Sequence, residues 1–200
     1  MKMLFITLCI SLSLFSCNGY ANHKTNREVN PIKDSTGIKA DLLQVAYSKN
    51  NYFLFFKAFP DTFEDFLNLY GFDDEKGEMP LYLCYEKHIK FFFKSYDLNK
   101  GKFIPKLFNL AKEGHWAADA TGVLQNEILI FIEIHPNDVV GYLETKPDSE
   151  VTHFWHYIFD GSSRNDKQNN AKFDTIYNLI KAINKKQGNI IKEEFLKMHE

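Results

Sequence analysis

The chain has 200 residues, 24 of them basic and 26 acidic, and its formal charge of −2 gives no attraction toward nucleic acid or an anionic lipid surface. Aromatic residues make up 16%, with 19 phenylalanines, so the core must be built largely of rings that bury ~150–250 Å² each. Three cysteines are too few for a disulfide-dense scaffold, and stability has to come from packing.

The first seventeen residues, MKMLFITLCISLSLFSC, place Lys2 ahead of an apolar run from Leu4 to Phe15 that stops at Ser16 beside Cys17. Residues 1–16 therefore read as a secretory signal. About twelve apolar residues fall short of the ~20 that a helix needs to cross a ~30 Å hydrocarbon layer. Leu14-Phe15-Ser16-Cys17 resembles the lipobox of bacterial lipoproteins, in which an aliphatic residue stands three before a cysteine. The resemblance covers the leader alone. It implies that Cys17 becomes the first mature residue, with a diacylglycerol on its sulfur and a fatty acid on its amine. At ~0.8 kcal/mol per buried CH₂, one acyl chain holds a membrane marginally, whereas two or three hold it lastingly. The other reading is an ordinary leader cut elsewhere, such as after Ala21.

Loss of the leader removes one of the 24 basic residues and none of the 26 acidic ones, which leaves a formal charge of −3. A mature chain of roughly 180 residues buries about 70% of its unfolded surface, enough for one core. Cys9 leaves with the leader and Cys17 is acylated, so only Cys84 remains. It sits in the apolar string LYLCYEKHI and reads as a small buried hydrophobe.

After the lipidated Cys17, the polar run to Gly37 (NGYANHKTNREVNPIKDSTG) lacks the apolar residues to build core and reads as a tether, spanning roughly 25 Å as a flexible coil. A single helical domain is expected over 38–200. Segment 40–47 fits a short helix or an edge strand equally well. Segment 50–59 is apolar almost all round and bounded by Pro60, which favours a central helix. Over 61–70, Asp61 or Thr62 can cap a helix carrying Phe63, Phe66, Leu67 and Tyr70, with Gly71 as a left-handed stop. An acidic loop (72–80) follows, then a helix over 81–96 with Leu81, Tyr85, Ile89, Phe92 and Phe93 on one face. Helices are also predicted over 102–113, 117–134, 137–144, 149–160 (capped by Ser149, closed by Gly161), 171–186 and 189–199 (capped by Asn189). ILIFIEI, at 128–134, reads as helix because it continues the stripe of Val123 and Leu124. The sum is an all-α, irregular bundle of about eight antiparallel helices with an aromatic-rich core.

No phosphate-binding loop, dinucleotide fingerprint, H-E-x-x-H or G-x-S-x-G motif occurs in the chain, and no cofactor is implied. His153 and His156, with Glu150 a turn earlier, have metal-compatible spacing, but a metal site needs further ligands and a second shell, so the bland reading is a pair flanking an apolar stripe. His115 and Asp119 bracket Trp116 at a helix start. Asp119 also suits the positive end of a helix, and Trp116 is either core or a binding anchor. Asp73, Asp74, Glu75 and Glu78 lack the glycine and closing glutamate of a calcium loop and read as a solvated acidic patch, with docking of a cationic partner as the functional alternative. Asp160 to Asp166 reads as a helix stop and polar turn.

Two functions follow from different classes. The first is a lipid-anchored envelope protein that binds another protein without catalysis, through Trp116 and the acidic residues Asp73, Asp74 and Glu75. In size, acidity and aromatic content the mature part is similar to small helical immunity proteins that neutralise envelope-acting toxins. The second is an envelope hydrolase whose site assembles from His115, Asp119, His153 and His156. Asn18 after the acylated cysteine lacks the aspartate that marks inner-membrane retention in some envelopes, so the expected location is the outer membrane, facing the periplasm.

Overall fold

The computed structural model describes residues 35–117, 119–161 and 167–199. Residues 1–34, on which the expected signal peptide, the lipidation of Cys17 and most of the expected tether fall, and residues 162–166 lie outside the described residues. The first helix, α1 (Ser35–Ser48), starts three residues before the expected onset at Ile38 and settles segment 40–47 as helix. Asn50, at φ +49°, turns the chain into α2 (Tyr52–Ala58), and the Asn51 side chain caps it by accepting from the Leu54 N–H at 2.9 Å.

Helix α3 (Phe63–Tyr70) is capped as its sequence predicts, with the Thr62 hydroxyl accepting from the Asp65 N–H at 3.2 Å. Its stop is different from the expected one. Gly71 has extended backbone (φ −79°, ψ 179°), and a Cβ there would lie 2.6 Å from the Leu67 carbonyl oxygen, which also accepts the Gly71 N–H. Glycine is needed for that close approach, not for a positive φ.

The acidic loop is a small hairpin, β1 (Phe72–Asp73) paired antiparallel with β2 (Gly77–Glu78), with Gly77 at φ +82°. One turn of 3-10 helix (Tyr82–Cys84) then leads into α4 (Tyr85–Phe93), so the helix expected over 81–96 is shorter and starts in a tighter coil. Helix α5 (Tyr96–Lys112) kinks at Asn99, whose side chain donates to the Ser95 carbonyl at 3.0 Å.

Helix α6 (Asp119–Ile134) absorbs the ILIFIEI segment, and Pro136 opens α7 (Pro136–Leu143), where its missing N–H is harmless. Helix α8 (Asp148–Phe159) starts after Pro147, which places Ser149 inside the first turn and not at the cap. Helices α9 (Lys167–Ile183) and α10 (Lys185–His199) meet at Asn184, whose side chain accepts from the Gln187 N–H at 3.0 Å. The break therefore falls five residues before Asn189. Gly188 is helical because α9 and α10 press together there: a Cβ would sit 2.7 Å from that of Lys181.

Among the described residues the fold is all-α, with ten α-helices around an aromatic core. Chain neighbours α1–α2 and α9–α10 pack together, but the other main pairings skip along the chain: α4 with α6, α5 with α8, α8 with α10. Phe92 is a hub, stacked on Phe59 at 4.1 Å and on Phe103 at 4.7 Å between ring centroids, with Phe56 and Phe93 also against it. Trp155 and Tyr157 of α8 are fully buried. Cys84 is buried and accepts from the Gln44 amide at 3.6 Å.

Candidate functional site

The short connection from α5 to α6 is fixed residue by residue. The ring of Tyr157 lies against Gly114, where a Cβ would come within 2.3 Å of it. The His115 ring meets Phe63 edge-on at 5.0 Å. The Trp116 indole rests across two glycines: a Cβ on Gly161 would fall 2.0 Å from the ring, and one on Gly122 would fall 3.3 Å from it. The Trp116 backbone N–H donates to an Asp160 carboxylate oxygen at 2.7 Å. Gly161 has φ +79°, so the chain turns in a conformation that suits glycine and the same atom-free space receives the indole. The result is a large ring held in place yet 44% exposed. Trp116 is thus neither core nor loose.

From Trp116 the surface runs directly to the acidic hairpin. Gly122 beneath the indole lies one turn along α6 from Asp119, and Asp119 accepts a short hydrogen bond from the Tyr82 hydroxyl. That bond, first, and the nearby negative charge push the Tyr82 phenol up to about 12. Tyr82 in turn meets Phe72 of β1 at 5.9 Å, and Phe72 pairs with Glu78 across the hairpin. Phe72 is 58% exposed and Leu83, beside Tyr82, 70%. Trp116, Asp119, Tyr82 and Phe72 are thus linked in series, and Asp74, Glu75 and Glu78 of the adjoining hairpin are exposed.

Asp73 plays a different part from its acidic neighbours. Its carboxylate accepts the Lys76 N–H at 2.8 Å and the Glu75 N–H at 2.9 Å, and these bonds hold its pKa below the usual range. It shapes the hairpin tip and leaves Asp74 and Glu75 to face outward.

The four residues grouped for hydrolysis do not form one hydrogen-bonded site. His115 lies on Phe63, Asp119 is engaged by Tyr82, and the His156 Nδ1 pairs with a Glu194 oxygen at 2.8 Å, while His153 is an exposed residue of α8. Glu150, the third member of the metal-spaced trio, faces Lys112 at 3.5 Å. Among the described residues no three His, Cys, Asp or Glu side chains gather as a metal site.

Sequence reasoning passed over two features. Phe72 and Tyr82 complete the link to the hairpin, and exposed Leu83 beside them in the chain did carry a signal, since it is a leucine off the apolar stripe of its predicted helix. His88 is the other. It is fully buried, bonded through Nδ1 to the Tyr70 hydroxyl at 3.2 Å and enclosed by the rings of Tyr47, Phe55 and Tyr70, with Nε2 lacking a hydrogen-bond partner. Burial, with a minor contribution from Lys87, drives its pKa down to about 4, so it is neutral at physiological pH.

No family model matches the chain, and no curated protein or solved structure is significantly similar to it. No helix among the described residues is long and apolar enough to cross a membrane.

Proposed function

We propose that this is a lipid-anchored envelope protein, fastened through Cys17, that binds another protein without catalysing a reaction. The observation that carries the reading is the linked series Trp116, Asp119, Tyr82 and Phe72, beside the exposed Asp74, Glu75 and Glu78 of the hairpin and with exposed Leu83 next to Tyr82 in the chain. Exposed aromatic and aliphatic side chains with a charged rim have the composition of interface hot spots. A rigidly held indole loses little freedom on binding, which favours affinity. The acidic edge selects a partner with a basic surface and speeds encounter with it. A toxin acting in the envelope is one partner class of this chemistry, in line with the similarity to immunity proteins. The outer membrane, facing the periplasm, is the proposed location.

Photo-crosslinking tests the face. A photoreactive residue at Leu83 should capture a discrete basic partner in intact envelopes. The same residue at Leu196 on α10 should not, and Asp74→Lys with Glu75→Lys should abolish capture. Equal capture from Leu83 and Leu196, or capture indifferent to the charge reversal, would reject this surface.

A further inference from the structure

Helix α1 carries more apolar surface than its folding requires. Ala40, Leu43 and Ala46 form the buried stripe that holds it to the core. A second stripe, Ile38, Leu42 and Val45 at i, i+4 and i+7, is 56%, 39% and 44% exposed. Phe53 of α2 is 54% exposed and is joined to this surface through Lys57. Ile38, Leu42 and Lys57 line one groove of about 320 Å³, and the Lys57 ammonium lies 4.4 Å over the Phe53 ring. Four neighbouring large apolar side chains in water call for a partner.

The charges around this surface say what kind. Lys39 is engaged by Asp65 at 2.9 Å, Lys57 has no acidic partner among the described residues, and exposed Lys49 lies one turn beyond Val45, while the one acid on this side of α1 is exposed Asp41, one turn from Ile38 and from Val45. An apolar stripe edged by long-stemmed ammonium groups matches a phospholipid surface, where rings and aliphatic chains enter the acyl boundary and lysines stay with the phosphates. The formal −3 of the mature chain does not oppose this, because apolar insertion supplies the binding and the lysines need only meet local phosphate. Position in the chain agrees. Helix α1 is the first described element after Cys17, and Ser35 stands 18 positions beyond it, so the chain between reaches at most roughly 60 Å.

We propose that the α1–α2 face lies on the bilayer to which Cys17 is fastened, so that the domain sits on the membrane by one defined side. The proposal rests on the anchored reading of Cys17, and its test separates the two. The full acylated chain is labelled with a polarity-sensitive fluorophore at Leu42→Cys, or at Leu196→Cys on α10, whose main partners are α8 and α9. Cys84, 4% exposed, stays unlabelled. Each protein is reconstituted in phosphatidylethanolamine–phosphatidylglycerol vesicles with brominated acyl chains, with circular dichroism confirming the fold and Phe53→Cys as a second probe.

The position-42 and position-53 probes should shift to the blue and be quenched several-fold more than the position-196 probe. Equal quenching at all three positions, on a chain whose mass shows acylated Cys17, overturns the proposal and leaves the anchor standing. A position-42 probe shielded from bromine in a chain that sediments as a dimer overturns it too, and assigns the face to a second copy. A mass without lipid on Cys17 overturns both readings together.

Discussion

The Trp116 indole and Gly161 occupy each other's space: a methyl group on that glycine would fall 2.0 Å from the ring. Two separate demands meet at this position, a backbone at φ +79° and room for an aromatic plane. Gly161→Ala should therefore destabilise the domain by about 1–3 kcal/mol through backbone strain and the displaced ring. It should also red-shift and weaken the Trp116 contribution to fluorescence, while Trp155, fully buried in α8, keeps its blue emission. Denaturant titration followed by fluorescence reads both effects.

The Phe92 hub sets the stability of the core. Its ring is fully buried and touches Phe56, Phe59, Phe93 and Phe103, so Phe92→Ala removes contacts shared by α2, α4 and α5. A loss of about 3–5 kcal/mol is expected, with Phe92→Leu milder because much of the volume remains. Urea unfolding of the two variants measures the difference.

His88 makes stability depend on pH. Its pKa is about 4 in the folded chain and ~6.5 when unfolded, so between those values the unfolded chain binds more protons and acid favours unfolding. The full stability associated with neutral His88 is present above about pH 6.5 and is lost as pH falls toward 4, by on the order of 3 kcal/mol. Carboxylates also titrate at the acid end, so the measurement is a comparison. Wild type should lose more stability than His88→Gln across this window, and parallel pH curves would show that the imidazole titrates alike in the folded and unfolded chain, which would contradict its burial as a neutral group.

Gly188 should resist replacement although it lies inside a helix. Alanine is the better helix former, but its Cβ would come within 2.8 Å of the Lys181 Cα on the facing helix. Gly188→Ala is expected to destabilise by about 1–3 kcal/mol where propensity alone predicts a gain, and thermal melts decide the sign.

Much of the fold was legible because the apolar residues recur at helical spacing and Thr62 marks its helix start. Helix ends were less so. Gly71 read as a left-handed stop, yet it is glycine because the Leu67 carbonyl of its own helix comes too close, and Gly188, which drew no reading, is glycine because the facing helix leaves no room for a side chain, a tertiary fact that no local pattern carries. The same holds for the binding face. Trp116 and the acidic run stood out singly, but the Tyr82–Asp119 bond that joins them spans 37 positions of sequence. Nothing local to His88 distinguishes a buried, neutral imidazole from a surface one.

Everything proposed about where and how this protein acts depends on Cys17, and the most direct measurement is the intact mass of the mature chain recovered from membranes, alongside fractionation of Cys17→Ser. The expected result is a chain that begins at Cys17 and carries the mass of a diacylglycerol and a fatty acid, with Cys17→Ser released from the membrane fraction. A chain beginning elsewhere, such as at Asn22, or a freely soluble chain with an unmodified Cys17, would contradict it.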